Sequence, residues 1–183
     1  MNIPNIISLV RLLSVPLNVW LIVIGEWHVA LAVFCLAGLS DAVDGLIAKR
    51  FDWQTRLGRY LDPIADKALL MSMYVTLGVQ ENLPAWLVLL VVSRDVLIVG
   101  GVVMLYAFDQ PYEPKPALTS KINTGVQILL VAAIIGAMAF EPAGIEGFVR
   151  LLILAVAATT VVSGTEYLFD WWRRMTALEG EER

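Results

Sequence analysis

The sequence is short of the residues that staple small soluble proteins. It has one cysteine and one histidine in 183 residues. Cys35 has no partner for an intrachain disulfide, and within its apolar stretch it is expected to be a buried thiol. No Cys or His cluster exists, which argues against structural zinc or haem. The opening segment lacks a basic n-region and a small-residue cleavage site, so it reads as a retained span and not a signal peptide. Long polar stretches are missing as well, which leaves nothing over for a soluble domain. What is abundant is apolar: 58% of residues are hydrophobic, and the mean hydropathy is +0.74. Soluble domains sit nearer half apolar, so the excess must face something other than water.

Apolar runs of about 20 residues, the length that crosses ~30 Å of hydrocarbon, recur along the whole chain. Six spans can be placed: Ile6 to Gly25, His28 to Lys49, Gly58 to Val79, Pro84 to Phe108, Thr119 to Phe140 and Gly147 to Trp172. The expectation is an all-α membrane protein, one six-helix bundle that makes a single domain of residues 1–183 with a frayed tail over 175–183. The net charge of −4 says less than where the charges fall. Lys49, Arg50, Arg56 and Arg59 lie between spans two and three, Lys115 and Lys121 around the start of span five, and Arg173, Arg174 and Arg183 after span six. The alternate loops, at Glu26–Trp27, Gln80–Leu83 and Glu141–Glu146, contain no Lys or Arg. The basic loops and both termini are therefore expected on the cytoplasmic side, in a bacterial inner membrane, since no presequence is evident.

Spans two and three carry carboxylates where a membrane helix can least accommodate them. Asp41 and Asp44 are three apart near the end of span two, and Asp62 and Asp66 are four apart near the start of span three. Each spacing puts its pair on one helix face. An intramembrane acid costs at least ~2.5 kcal/mol on insertion scales, so it reads as functional by default. The short connection suggests adjacent antiparallel helices whose acidic faces share a cavity. Four converging carboxylates repel one another unless cations, shared protons or bases such as Lys49 and Lys67 relieve them. An all-oxygen donor set suits Mg2+ or Mn2+. Gly45 and Gly58, on the same helices, would let a ligand come close to the backbone.

The stretch from Asp41 to Asp66, DAVDGLIAKRFDWQTRLGRYLDPIAD, resembles the signature of the CDP-alcohol phosphotransferase family. That signature reads D-x-x-D-G-x-x-A-R, eight residues, then G-x-x-x-D-x-x-x-D. Asp41, Asp44, Gly45, Ala48, Gly58, Asp62 and Asp66 match it, and Lys49 replaces the usual Arg. Lys keeps the charge but loses the planar fork that grips phosphate through two bonds. Within the family, the segments IPNIISLVR, FCLAGLSDAVDG, VVSRDV and KPALTSKINTGVQ are similar to CMP-forming cardiolipin synthases over roughly Ile3 to Phe140. Phosphatidylglycerophosphate synthases share nearly the same layout.

The resemblance implies transfer of a phosphatidyl group from CDP-diacylglycerol to an alcohol with release of CMP. The acceptor would be phosphatidylglycerol, giving cardiolipin, or glycerol 3-phosphate in the alternative synthase. Asp41, Asp44, Asp62 and Asp66 would hold two divalent cations, with Asp66 also the catalytic base. Asp41, Gly45, Ala48, Lys49 and Gly58 would receive the nucleotide, and Arg94, Lys121 and Asn123 the anionic acceptor. A homodimer is a further expectation from the family, and no nucleic-acid partner is expected. Arg94 has a competing structural reading, an ion pair with an acidic neighbour, as Lys121 has in snorkelling to the interface. Arg11 in span one also favours a structural role. Trp20, Trp27, Trp86, Trp171 and Trp172 read as interfacial belts, His28 as an interfacial residue, and Glu166 and Asp170 as solvated. A cation carrier would also use intramembrane acids, but it should show broken helices or an internal repeat, and the sequence has neither.

Overall fold

The computed structural model describes the backbone of residues 3–51, 58–107 and 118–181, and the side chains of 10–40, 67–100 and 118–173. The described chain is all-α. Its helices are α1 (Ile3–Val23), α2 (Trp27–Phe51), α3 (Gly58–Val79), α4 (Ala85–Ala107), α5 (Leu118–Phe140) and α6 (Ile145–Glu181). Five of the six lie within a few residues of the spans read from the sequence. The sixth does not stop at Trp172. It continues to Glu181 through the stretch expected to fray, where Met175, Ala177 and Leu178 are all good helix formers.

Helix ends are set by tight turns with capping geometry. After α1, Gly25 adopts φ +80°. Its N–H donates to the Ile22 carbonyl at 3.1 Å, and the Glu26 N–H donates to Leu21 at 2.9 Å, the paired bonds of a Schellman cap. Glu81 ends α3 in the same way with φ +60°, its N–H donating to Gly78 and that of Asn82 to Leu77. Such short turns fold α1 against α2 and α5 against α6 as antiparallel hairpins.

Helix packing among the described residues closes a ring in the order α1, α3, α4, α6, α5, α2, with α3 and α5 also meeting across its middle. The core runs through this ring. Ile22 on α1, Ala30 on α2, Met73 and Leu77 on α3, Leu87 on α4, Leu130 and Ile135 on α5 and Val156 on α6 are fully buried. The outside is equally apolar: Leu13, Leu36, Leu39, Leu89, Leu151 and Leu154 are each more than 60% exposed. Two of the described helices, Leu118–Phe140 and Ile145–Arg173, are long and apolar enough to cross a membrane by length and composition.

This outward apolar surface corrects one expectation. Cys35 is exposed, not buried, on the same face of α2 as exposed Leu36 and Leu39. An apolar stretch signals burial only where the surroundings are water.

Candidate active site

Helical backbone runs without a break through Asp41 and Asp44 in α2 and from Gly58 through Asp62 and Asp66 in α3. The spacings of three and four therefore do place each acidic pair on one helix face. Asp41, Asp44, Gly45, Ala48, Lys49, Gly58, Asp62 and Asp66 lie outside the residues whose side chains are described. Among the described residues, no group of three His, Cys, Asp or Glu is gathered elsewhere.

The expected adjacency of α2 and α3 is not found among the described residues. Each packs on α1, and α5 touches both. A short connection restrains only the helix ends it joins; packing decides what lies between the rest.

The described part of the site is a polar layer shared by α3, α4, α5 and α6. At its centre Arg94 and Asp95, adjacent on α4, are each 4% exposed. The Arg94 guanidinium donates to Asp95 Oδ1 at 2.7 Å, to Ser120 Oγ on α5 at 2.8 Å and to Ser163 Oγ on α6 at 2.5 Å. It also lies 5.6 Å from the ring centre of Tyr167. Gly164 packs against this arrangement; a Cβ there would sit 3.5 Å from Arg94 Cγ, at ordinary van der Waals contact. Lys67, the residue after Asp66 on α3, donates to the same Asp95 oxygen at 2.5 Å. A charge buried this deeply is expensive unless paired and fully bonded, and here one carboxylate gathers two cations.

Of the residues assigned to the acceptor, Arg94 and Lys121 are brought to the same end of α5, since Ser120 binds Arg94. Lys121 is exposed. Asn123 is fully buried, and its Oδ1 accepts from Thr159 Oγ1 at 2.8 Å and Thr160 Oγ1 at 3.0 Å, which ties α5 to α6. Glu166 is exposed as expected, yet it accepts a hydrogen bond from Thr119 Oγ1. The ion-pair reading of Arg94 is realised. Sequence reasoning misses Ser120, Ser163 and Tyr167, because single hydroxyls in apolar helices give no spacing signal of their own.

The described residues give an all-α bundle with a buried Arg94–Asp95 pair in its polar layer, and the four aspartate positions lie on helical backbone of α2 and α3. Comparison with known proteins fixes the family. Residues 1–163 match the family model described as CDP-alcohol phosphatidyltransferase, and the chain belongs to that family. It is 33% identical to the cardiolipin synthase (CMP-forming) of Rattus norvegicus over 98% of this chain and 65% of that protein. With the cardiolipin synthase (CMP-forming) of Homo sapiens the identity is 35%, over 91% and 60%. With the probable phosphatidylglycerophosphate synthase of Mycobacterium tuberculosis (strain ATCC 25618 / H37Rv) it is 30%, over 91% and 80%. The chain thus spans less than two thirds of the two cardiolipin synthases it matches.

Proposed function

We propose that this chain transfers the phosphatidyl group of CDP-diacylglycerol to phosphatidylglycerol, forming cardiolipin and releasing CMP. The observation that carries the reading is the family match across residues 1–163, which contains every signature position from Asp41 to Asp66 on helical backbone. The similarity to proteins named CMP-forming cardiolipin synthases supports the acceptor.

Four carboxylate positions make a hard, all-oxygen donor set that fits Mg2+ or Mn2+. Asp41, Asp44, Asp62 and Asp66 would hold two such cations, which supply charge stabilisation at the attacking and leaving oxygens of an in-line displacement. Gly45, Ala48 and Gly58 leave room for the cytidine nucleotide, with Lys49 beside them. Asp66 accepts the proton of the acceptor hydroxyl, the hydroxyl oxygen bonds to the phosphatidyl phosphorus, and the bond from phosphorus to the CMP oxygen breaks. Arg94 and Lys121, at one end of α5, provide positive charge for the acceptor phosphate. The Arg94 Nε–H has no partner, so the guanidinium keeps donor capacity despite its three bonds. The buried Asn123 amide also has a free NH2.

In this reading all six helices span the bilayer as one domain. The apolar exterior faces lipid, the basic loops and both termini lie on the cytoplasmic side, and the acidic ends of α2 and α3 open there. A homodimer is the expected assembly. The deciding experiment incubates purified protein with CDP-diacylglycerol, Mn2+ and either phosphatidylglycerol or glycerol 3-phosphate. CMP release with phosphatidylglycerol is expected, and a chelator stops it. Release with glycerol 3-phosphate alone would replace the reading with the phosphatidylglycerophosphate synthase alternative, which the Mycobacterium tuberculosis relative favours because 80% of its length is covered.

A further inference from the structure

Lys67 directly follows Asp66 on α3, and its ammonium sits 2.5 Å from Asp95 Oδ1. Asp95 has a side chain only 5% exposed and is itself held by Arg94 at 2.7 Å. Arg94 is fixed in turn by Ser120 and Ser163. A continuous chain of bonds therefore runs from α6 and α5, through α4, to the turn of α3 that carries Asp66. The described side of this chain is rigid. Three of its members, Arg94, Asp95 and Ser163, are almost wholly buried, and a Cβ on Gly164 would already touch Arg94.

We propose that Asp95 is a positioning residue, which sets the rotation and depth of α3 through Lys67 and so places the acidic pair Asp62 and Asp66. The proposal rests on the reading of those two residues as metal ligands and base. The ion pair has two physical consequences. It anchors α3 about a hundred degrees round the helix from Asp66, so it resists rotation about the helix axis. It also keeps the Lys67 charge on a dedicated partner. Asp95→Asn would release a cation one residue from Asp66, free to compete with Mn2+ for the acidic pairs.

Supporting partners beyond the direct ligands are worth about 10–100-fold in metal affinity or activity, and a 1 Å misplacement about 100-fold in rate. The test uses the full chain in detergent with Asp95→Asn, Asp95→Glu, Lys67→Met and the double variant Lys67→Met with Asp95→Asn. Readouts are kcat and KM for CMP release, Mn2+ affinity by paramagnetic resonance without substrate, and thermal unfolding. Asp95→Asn is expected to lower kcat about 10–100-fold and weaken Mn2+ binding about tenfold, with KM for CDP-diacylglycerol moving far less. Asp95→Glu restores much of both, and the double variant is no worse than the poorer single, as partners in one pathway require. Losses that multiply in the double variant would overturn the proposal. So would Asp95→Asn protein that melts earlier but keeps the kcat and Mn2+ affinity of the wild type. If Asp95→Asn does not fold, Asp95→Glu and Lys67→Met carry the same comparison. Should the wild type release no CMP with either acceptor, the phosphatidyl-transfer reading fails. The Mn2+ titration then decides the role of Asp95 alone, and a wild type that binds no Mn2+ counts against it.

Discussion

Replacing Arg94 with methionine tests how much of this bundle is held by its buried polar layer. Methionine nearly fills the volume but removes every donor. Asp95, with a side chain 5% exposed, would lose one of its two cations and keep Lys67 at 2.5 Å. Removing one partner of a buried pair costs about 3–5 kcal/mol, and the remaining Lys67 puts this case at the lower end. Two interhelical bonds to Ser120 and Ser163 disappear as well, at about 0.6 kcal/mol each on the scale measured within membranes. The contact with the Tyr167 ring adds about 0.5–1 kcal/mol. The expected loss is about 5 kcal/mol in unfolding free energy, read by SDS titration in mixed micelles. Arg94→Lys retains a charge for Asp95 but cannot reach both serines, so about 1–3 kcal/mol is expected. A loss below about 1 kcal/mol for Arg94→Met, outside the range given for a broken buried pair, would refute the reasoning. If that small loss came with a raised KM for the acceptor alone, Arg94 would be a substrate ligand whose pairing with Asp95 contributes nothing to folding.

Four further substitutions test the packing. Gly78→Ala would bring a Cβ to 2.8 Å from Val88 Cγ2; because valine is stiff at χ1, a loss of about 1–3 kcal/mol is expected. Adding Val88→Ala should recover part of that loss, and additive losses would show that the clash is relieved by backbone movement. Gly25→Ala forces an alanine into φ +80° and should cost about 1–2 kcal/mol, whereas Gly125→Ala, where a Cβ would meet nothing within 4 Å, should be neutral or stabilising. Tyr74→Phe removes a fully buried hydroxyl with no hydrogen-bond partner, so stability should hold or rise by up to about 1 kcal/mol; a clear loss would mean the hydroxyl is bonded in the protein.

Much of the fold is legible because long apolar runs divided by polar turns have one simple reading, as helices. Apolar runs of spanning length must be helical, and Gly25 and the Pro84 turn punctuate them. The six helix positions follow from that alone. What the sequence did not reveal is which helices touch. The short connection between Lys49 and Gly58 suggests that α2 and α3 are neighbours, yet among the described residues each packs on α1 and not on the other. Connection length bounds the distance between two ends, while side-chain fit along whole helices selects partners, and that fit has no one-dimensional signature in uniformly apolar helices. The exposure of Cys35 escapes the sequence for a related reason, since hydropathy does not distinguish an outward-facing apolar position from a core one.

The site was legible to different degrees in its two halves. The acidic half of the proposed site rests on two carboxylate pairs at helical spacing, whose backbone is helical and whose side chains lie outside the described residues. In the polar half, Arg94 was visible as an expensive charge, but its alternatives could not be separated by sequence. Ser120, Ser163 and Tyr167 are ordinary residues until the ring of helices brings them to the guanidinium.

The two halves are linked by charge accounting. Four carboxylates in a low-dielectric setting need compensation, and Lys67 is the nearest fixed cation in sequence to Asp66. The fold instead assigns Lys67 to Asp95. Asp95 already faces Arg94, so the three residues together leave only one positive charge in excess. A protein built to neutralise its acidic pairs internally would have left Lys67 unpaired. In the proposed reading, committing Lys67 to Asp95 would leave the demand for positive charge to exchangeable cations, the condition a metal-dependent transferase requires.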